Sequence, residues 1–124
     1  MDHSSISSKT LAFLGDAAWT YTVRYHLINE GNNNAKKLQA LMIDYVSAKA
    51  QADFYSALHE EGFFNEEEEN IFHRGRNGSI GSVPHNTDVQ TYRISTGFEA
   101  IIGALTLENN NQRIEEIWEK VRTL

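Results

Sequence analysis

The sequence predicts an all-α fold of about six to seven helices. Three observations lead there. Apolar residues return at three- and four-residue spacings in long runs, no segment alternates as a strand would, and helix-breaking residues fall between the runs, with proline only at Pro84. The 124 residues are the size of one domain, and 1–124 is read as a single unit without a separate accessory domain. At this length roughly two-thirds of the unfolded chain's surface can be buried. Cysteine is absent, which rules out disulfides and thiolate metal sites. No apolar stretch is long enough for a bilayer, and "MDHSSISSKT" lacks a signal-peptide core, so the expectation is a soluble intracellular protein with no membrane partner.

The elements follow in order. Ser7 or Ser8 caps a first helix from about Ser8 to Glu30, with Leu11, Leu14, Ala18, Tyr21 and Tyr25 as its apolar recurrence and Gly31 as its stop. After the turn "GNNN", Asn34 caps "AKKLQALMIDYV", which carries Leu38, Leu41, Met42 and Tyr45 on one face. Ser47 caps "AKAQADFYSALHEE", closed by Gly62. "NEEEENIFHRG" is a short fourth helix capped by Asn65, with Glu68 placed to reach back to it and acids at the positive end of the dipole. "RGRNGSIGSVPHNT" reads as a loop of about ten residues, longer than most connections and therefore a functional candidate. Thr87 or Asp88 caps a long helix through Leu107, with Tyr92, Phe98, Ala100, Ile101, Ile102 and Leu105 mostly buried. The turn "NNN" leads into a last amphipathic helix, "QRIEEIWEKVRTL".

The formal net charge is −6, which alone disfavours binding to a phosphate backbone. Its distribution changes that reading. Residues 60–69 hold six carboxylates, read as a solvated acidic helix end. From Ile71 to Ile94 the only acid is Asp88, against Arg74, Arg76 and Arg93, with His73 and His85 as further cations.

Two segments combine a mid-helix carboxylate with glycine. "LAFLGDAAW" sets Asp16 among Phe13, Leu14, Ala17 and Trp19, where partial desolvation is expected. "STGFEAIIG" sets Glu99 between Gly97 and Gly103. A mid-helix glycine costs about 1 kcal/mol relative to alanine and usually has a packing reason. Helices crossing near Gly15 and Gly97 would bring Asp16 and Glu99 together, and a hard divalent cation would relieve their repulsion. The alternative is that each acid is exposed, or paired with a base such as Arg93 or Lys49. His26, His59 and His85 do not stand at metal-ligand spacings.

These letters resemble a known family. "LAFLGDAAW" is similar to "EFLGDSVL" of the ribonuclease III catalytic domain, and "STGFEAIIGALTL" to its "ADAFEALIGAIYL". The resemblance is closer to the Mini-ribonuclease III form, through "LAFLGDA", "YVSAKAQA", "EEGFFNEEEENIFHRGRN", "VPHNTDVQTYR" and "STGFEAIIG", in that order from about Leu11 to Trp118. It implies a helical homodimer that uses Mg2+ (or Mn2+ in its place) to cleave double-stranded RNA, leaving 5′-phosphate and 3′-hydroxyl ends. It also implies maturation of the 23S ribosomal RNA precursor with a large-subunit ribosomal protein, in bacterial cytoplasm or plastid stroma. By motif position, Asp16 and Glu99 would be the catalytic metal ligands. Arg74, Arg76 and Asn77 would approach RNA, with Lys36 and Lys37 as secondary contacts, and Phe13 would enter a socket on the partner subunit.

The chain departs from full-length ribonuclease III where two further acids are expected, at Ala12 and Thr96. With two carboxylates per site, much of the coordination must come from water and RNA, and metal affinity without RNA should be weak. Thr96 reads either as a hold on coordinated water or as a packing residue. The rival reading is a non-catalytic double-stranded-RNA-binding or ribosome-assembly protein on the same fold. A helical magnesium-dependent nucleotide hydrolase would leave the basic segment unexplained.

Overall fold

Every helix begins at a side-chain cap. A computed structural model describes residues 3–78, 83 and 87–124. After a 3-10 turn at His3–Ser5 come α1 (Ser8–Asn29), α2 (Ala35–Val46), α3 (Ala48–Glu60), α4 (Glu66–Asn77), α5 (Val89–Leu107) and α6 (Asn111–Arg122). Ser7, Asn34 and Ser47 accept from the backbone N–H groups of Thr10, Lys37 and Ala50. Asn65 and Glu68 form a reciprocal capping box, Asp88 accepts from Gln90 and Thr91, and Asn110 accepts from Arg113. Gly31 and Gly62 take positive φ after α1 and α3, as expected of residues that stop a helix.

One boundary differs from expectation. α4 runs through Gly75 to Asn77, so Arg74, Arg76 and Asn77 sit on its last turn and not in a loop. The physical reason is that Gly75 is a packing glycine. A Cβ there would lie 2.9 Å from the Gly97 Cα of α5, so its small size serves a helix crossing. Of the loop expected beyond it, residues 79–82 and 84–86, with Gly81, Pro84 and His85 among them, lie outside the described residues.

The core is built round α5, which packs against α1, α3, α4 and α6. Its stretch Ala100–Leu105 is buried throughout. The tightest approach is with α1. A side chain at Gly15 would overlap the Glu99 carbonyl, and one at Gly103 would overlap the Leu11 carbonyl. The crossing glycines are therefore Gly15 and Gly103. Gly97, the expected partner, faces Phe72 of α4 instead. This backbone contact sets the rotation of α1, burying Leu11, Gly15, Trp19, Val23 and Leu27. Tyr21 and Tyr25 consequently face outward, 70% and 53% exposed. Trp19 meets Phe98 edge-on at 5.1 Å and Trp118 of α6 at 6.0 Å, which closes the core.

The acidic run is not a simple solvated end. Glu68 is buried and takes two bonds of 2.8 Å from Arg113. Glu61 pairs with Lys120, Glu67 with His3, and Glu69 with His59. Glu67, Glu68 and Glu69 clasp the N-terminal turn, α6 and α3 to the start of α4, and Glu61 ties the end of α3 to α6.

The Gly15–Gly103 contact makes a direct prediction. Gly15→Ala forces backbone against backbone and should cost about 3 kcal/mol, the upper end for overpacking. Urea unfolding measures it, and an unchanged midpoint would mean that the helices do not touch there.

Candidate active site

The crossing that joins α1 to α5 also delivers two carboxyls to one place. Asp16 follows Gly15, and Glu99 carries the carbonyl against which Gly15 packs. Their side chains line one cavity of about 430 Å³ together with Lys9, Ala12, Phe13, Gln51, Tyr92, Ser95 and Thr96. The expected desolvation falls on the other acid of the pair. Asp16 is exposed at the mouth, whereas Glu99 is half-buried. Phe13, Leu14 and Ala17 do not enclose Asp16, because neighbours in sequence point to different sides of a helix.

Burial first, then a hydrogen bond and charge repulsion from Asp16, push the Glu99 carboxyl up to about 8, while a hydrogen bond from Gln51 pulls it down. Among the described residues no base pairs with either acid. Arg93 instead donates to the carbonyls of Arg76 and Gly78, both at 3.0 Å, and Lys49 pairs with Asp53. Two oxygen-donor groups meeting without a countercharge are the donor set that a hard divalent cation prefers.

The remaining expected residues divide by location. Arg74 is exposed and donates to the Ile6 carbonyl at 3.0 Å, so it stands near the start of α1. Arg76 is half-buried and Asn77 exposed on the same turn. Lys36 and Lys37 are exposed on the first turn of α2. Their neighbour Ala35 lines a groove with Arg24 and Ile28, about 30 Å along α1 from Ser8, so the two basic groups do not meet. Phe13 is 82% exposed at the cavity's lip. Ala12 and Thr96, where two further acids would stand, line the same cavity, and the Thr96 hydroxyl donates to the Tyr92 carbonyl.

Among the lining residues that the sequence patterns do not single out are Lys9 and Gln51. Gln51 has a signal, because it shares the buried face of α3 with Tyr55 and Leu58, a costly place for an amide. A separate group lies at the ends of α4 and α5, where His3 Nε2 is 3.0 Å from Glu67 and 2.6 Å from Glu108. It fastens the N-terminal turn.

Known proteins resemble this chain over most of its length. The ribonuclease III domain matches residues 9–110. The chain belongs to the ribonuclease III domain family. Within the family it is similar to proteins named Mini-ribonuclease 3. It is 43% identical to that of Streptococcus pneumoniae over 94% of this chain and 91% of the relative. Identity to that of Brevibacillus brevis is 47% over 86% and 78%, and to that of Staphylococcus aureus 41% over 93% and 86%. A crystal structure of a Fusobacterium nucleatum protein aligns with a TM-score of 0.86 at 32% identity, covering 98% of this chain and 96% of that one. By its family the chain is an endoribonuclease. Among the described residues no helix is long and apolar enough to cross a membrane.

The raised Glu99 carboxyl has a consequence for stability. Its folded value of about 8 exceeds the ordinary 4.5, so the metal-free folded chain keeps a proton that the unfolded chain has released. Stability is then highest below the ordinary value and falls as pH rises toward 8, by up to about 1.4 kcal/mol per pH unit from this group. Glu99→Gln should remove that slope in urea titrations of metal-free protein at about pH 5.5 and about pH 7.5. Equal slopes in parent and variant would contradict the shift.

Proposed function

We propose that residues 1–124 act as one catalytic domain, a magnesium-dependent endoribonuclease that cleaves double-stranded RNA and matures the 23S ribosomal RNA precursor. The observation carrying this reading is the meeting of Asp16 and Glu99, from two helices, without a basic partner. Asp16 and Glu99 would hold the ion. A divalent cation there supplies neutralisation of the attacked phosphodiester and activation of water at neutral pH, and Mn2+ can replace Mg2+ in that chemistry. Attack of water on phosphorus with cleavage of the P–O3′ bond, the O3′ leaving group taking a proton, would give 5′-phosphate and 3′-hydroxyl ends and require no protein nucleophile.

The chain's own groups do the rest. Glu99, half-buried on α5, would fix one side of the site, and exposed Asp16 would face the arriving backbone. Lys9 at the rim offers a charge to a flanking phosphate. Arg74, Arg76 and Asn77, on the last turn of α4, suit phosphate and sugar contacts, and Lys36 and Lys37 would serve a more distant stretch of duplex. Phe13, Tyr21 and Tyr25 are exposed aromatics on α1, which supports a homodimer that doubles the basic turns along a groove. Sedimentation as a single chain under assay conditions would remove the dimer. We place the enzyme in the bacterial cytoplasm or a plastid stroma, with a large-subunit ribosomal protein assisting on the precursor.

Two measurements test the reading. Asp16→Asn and Glu99→Gln should each fold yet lose roughly 10²–10³-fold or more of duplex cleavage in magnesium. Near-parental cutting by either variant would reject the assignment and favour a non-catalytic RNA-binding protein. Arg74→Ala and Arg76→Ala should weaken duplex binding and flatten its dependence on salt by roughly one unit of log–log slope per lost phosphate contact. Unchanged binding across a salt series would detach this turn from the RNA.

A further inference from the structure

Gln51 is the most buried polar residue beside the two acids. It is 1% exposed, on the inward face of α3, and it lines the cavity that holds Asp16 and Glu99. Its Nε2 donates to the Val46 carbonyl at 3.2 Å and to Glu99 Oε2 at 3.3 Å. Both of these partners are oxygens, and turning the amide over would set oxygen against oxygen, so the orientation is determined by the surroundings. The other end of the amide, Oε1, is buried and accepts no hydrogen bond from the protein.

A glutamine is an unfavourable choice for packing alone. A methionine or leucine would fill the same volume without burying an amide. The bond to Val46 ties the end of α2 to the start of α3, but it uses only one of the two N–H groups. The second is directed at Glu99, while the acceptor stays buried and unfilled. Unfilled buried acceptors are uncommon and costly, so an amide kept here despite that cost points to the bond its other end makes with Glu99.

We infer that Gln51 is a positioning residue of the site, holding one Glu99 oxygen through Nε2 while Nε2 is itself anchored on the Val46 carbonyl. It touches neither ion nor phosphate; it sets the direction from which the Glu99 carboxylate meets a cation. Groups that orient a ligand in this way commonly change metal affinity or activity about 10–100-fold when removed. The inference rests on the reading that Asp16 and Glu99 hold a divalent cation.

The test uses the full chain. Gln51→Met keeps length and volume and removes both polar ends, whereas Gln51→Asn keeps an amide that falls a methylene short of Glu99. Mn2+ binding is followed by electron paramagnetic resonance without RNA, folding by circular dichroism, and kcat and KM on duplex RNA in magnesium. Both variants should fold, bind Mn2+ about tenfold or more weakly, and lose kcat by a similar factor with KM within about twofold. A packing role alone would leave Gln51→Met at parental affinity and kcat, and that outcome overturns the inference. Should Gln51→Met not fold, Gln51→Asn decides by the same readouts, parental affinity and kcat again overturning the inference. Glu99→Gln is assayed alongside. If it still cleaves, the carboxylate reading falls and the inference falls with it; if it is inactive while a folded Gln51 variant is parental, only the inference falls.

Discussion

The structure depends on the direct contact of two helix backbones, α1 at Gly15 and α5 at Gly103. Neither position has room for a side chain, because each faces a carbonyl of the other helix. The contact fixes separation, rotation and register at once. Rotation puts Trp19 against Phe98 and leaves Phe13 in solvent. Register sets Asp16 beside Glu99. Moving either helix by one residue would separate the acids and also open the core, so stability and site geometry are controlled by the same atoms.

α5 repeats the device on its other side. Gly97 meets Gly75 and Phe72 of α4, which brings the last turn of α4 close to the helix that bears Glu99. Arg93 strengthens that junction by donating to carbonyls at the end of α4. The periphery is held by charge. Glu68 is buried yet satisfied, accepting from Arg113 and from the Asn65 backbone, and Arg113 also donates to the Phe63 carbonyl. Breaking such a pair from one side would strand a buried charge, whereas the exposed Lys49–Asp53 pair contributes little.

Much of this is legible in the chain itself, and the limits are physical. Helix starts are readable because a cap is a local contact between one side chain and the next turn, as at Asn34, Ser47 and Asn65. The family motifs locate Asp16 and Glu99 and raise the expectation of a meeting. What sequence does not supply is the identity of each glycine's partner. A small residue announces a close approach without naming the neighbour, so Gly97 suggests a crossing with α1 when it faces α4, and Gly75 looks like a stop. The burial of Asp16 is overstated by its neighbours in sequence for the same reason, since the enclosing helix is remote along the chain. The clasped acids at the end of α3 and the start of α4 are hidden likewise, because Lys120, Arg113 and His3 lie far from them in sequence.

The double glycine seam of α5 also bears on how a substrate would be read. With α4 and α1 both packed backbone-close on one helix, the spacing between the Arg76 turn and Glu99 is set by those contacts. Under the proposed function such an arrangement works as a gauge. It accepts any strand whose phosphates arrive at the right pitch, and it has little means of following one whose backbone is irregular. Discrimination would then come from the contour of the duplex more than from the order of its bases.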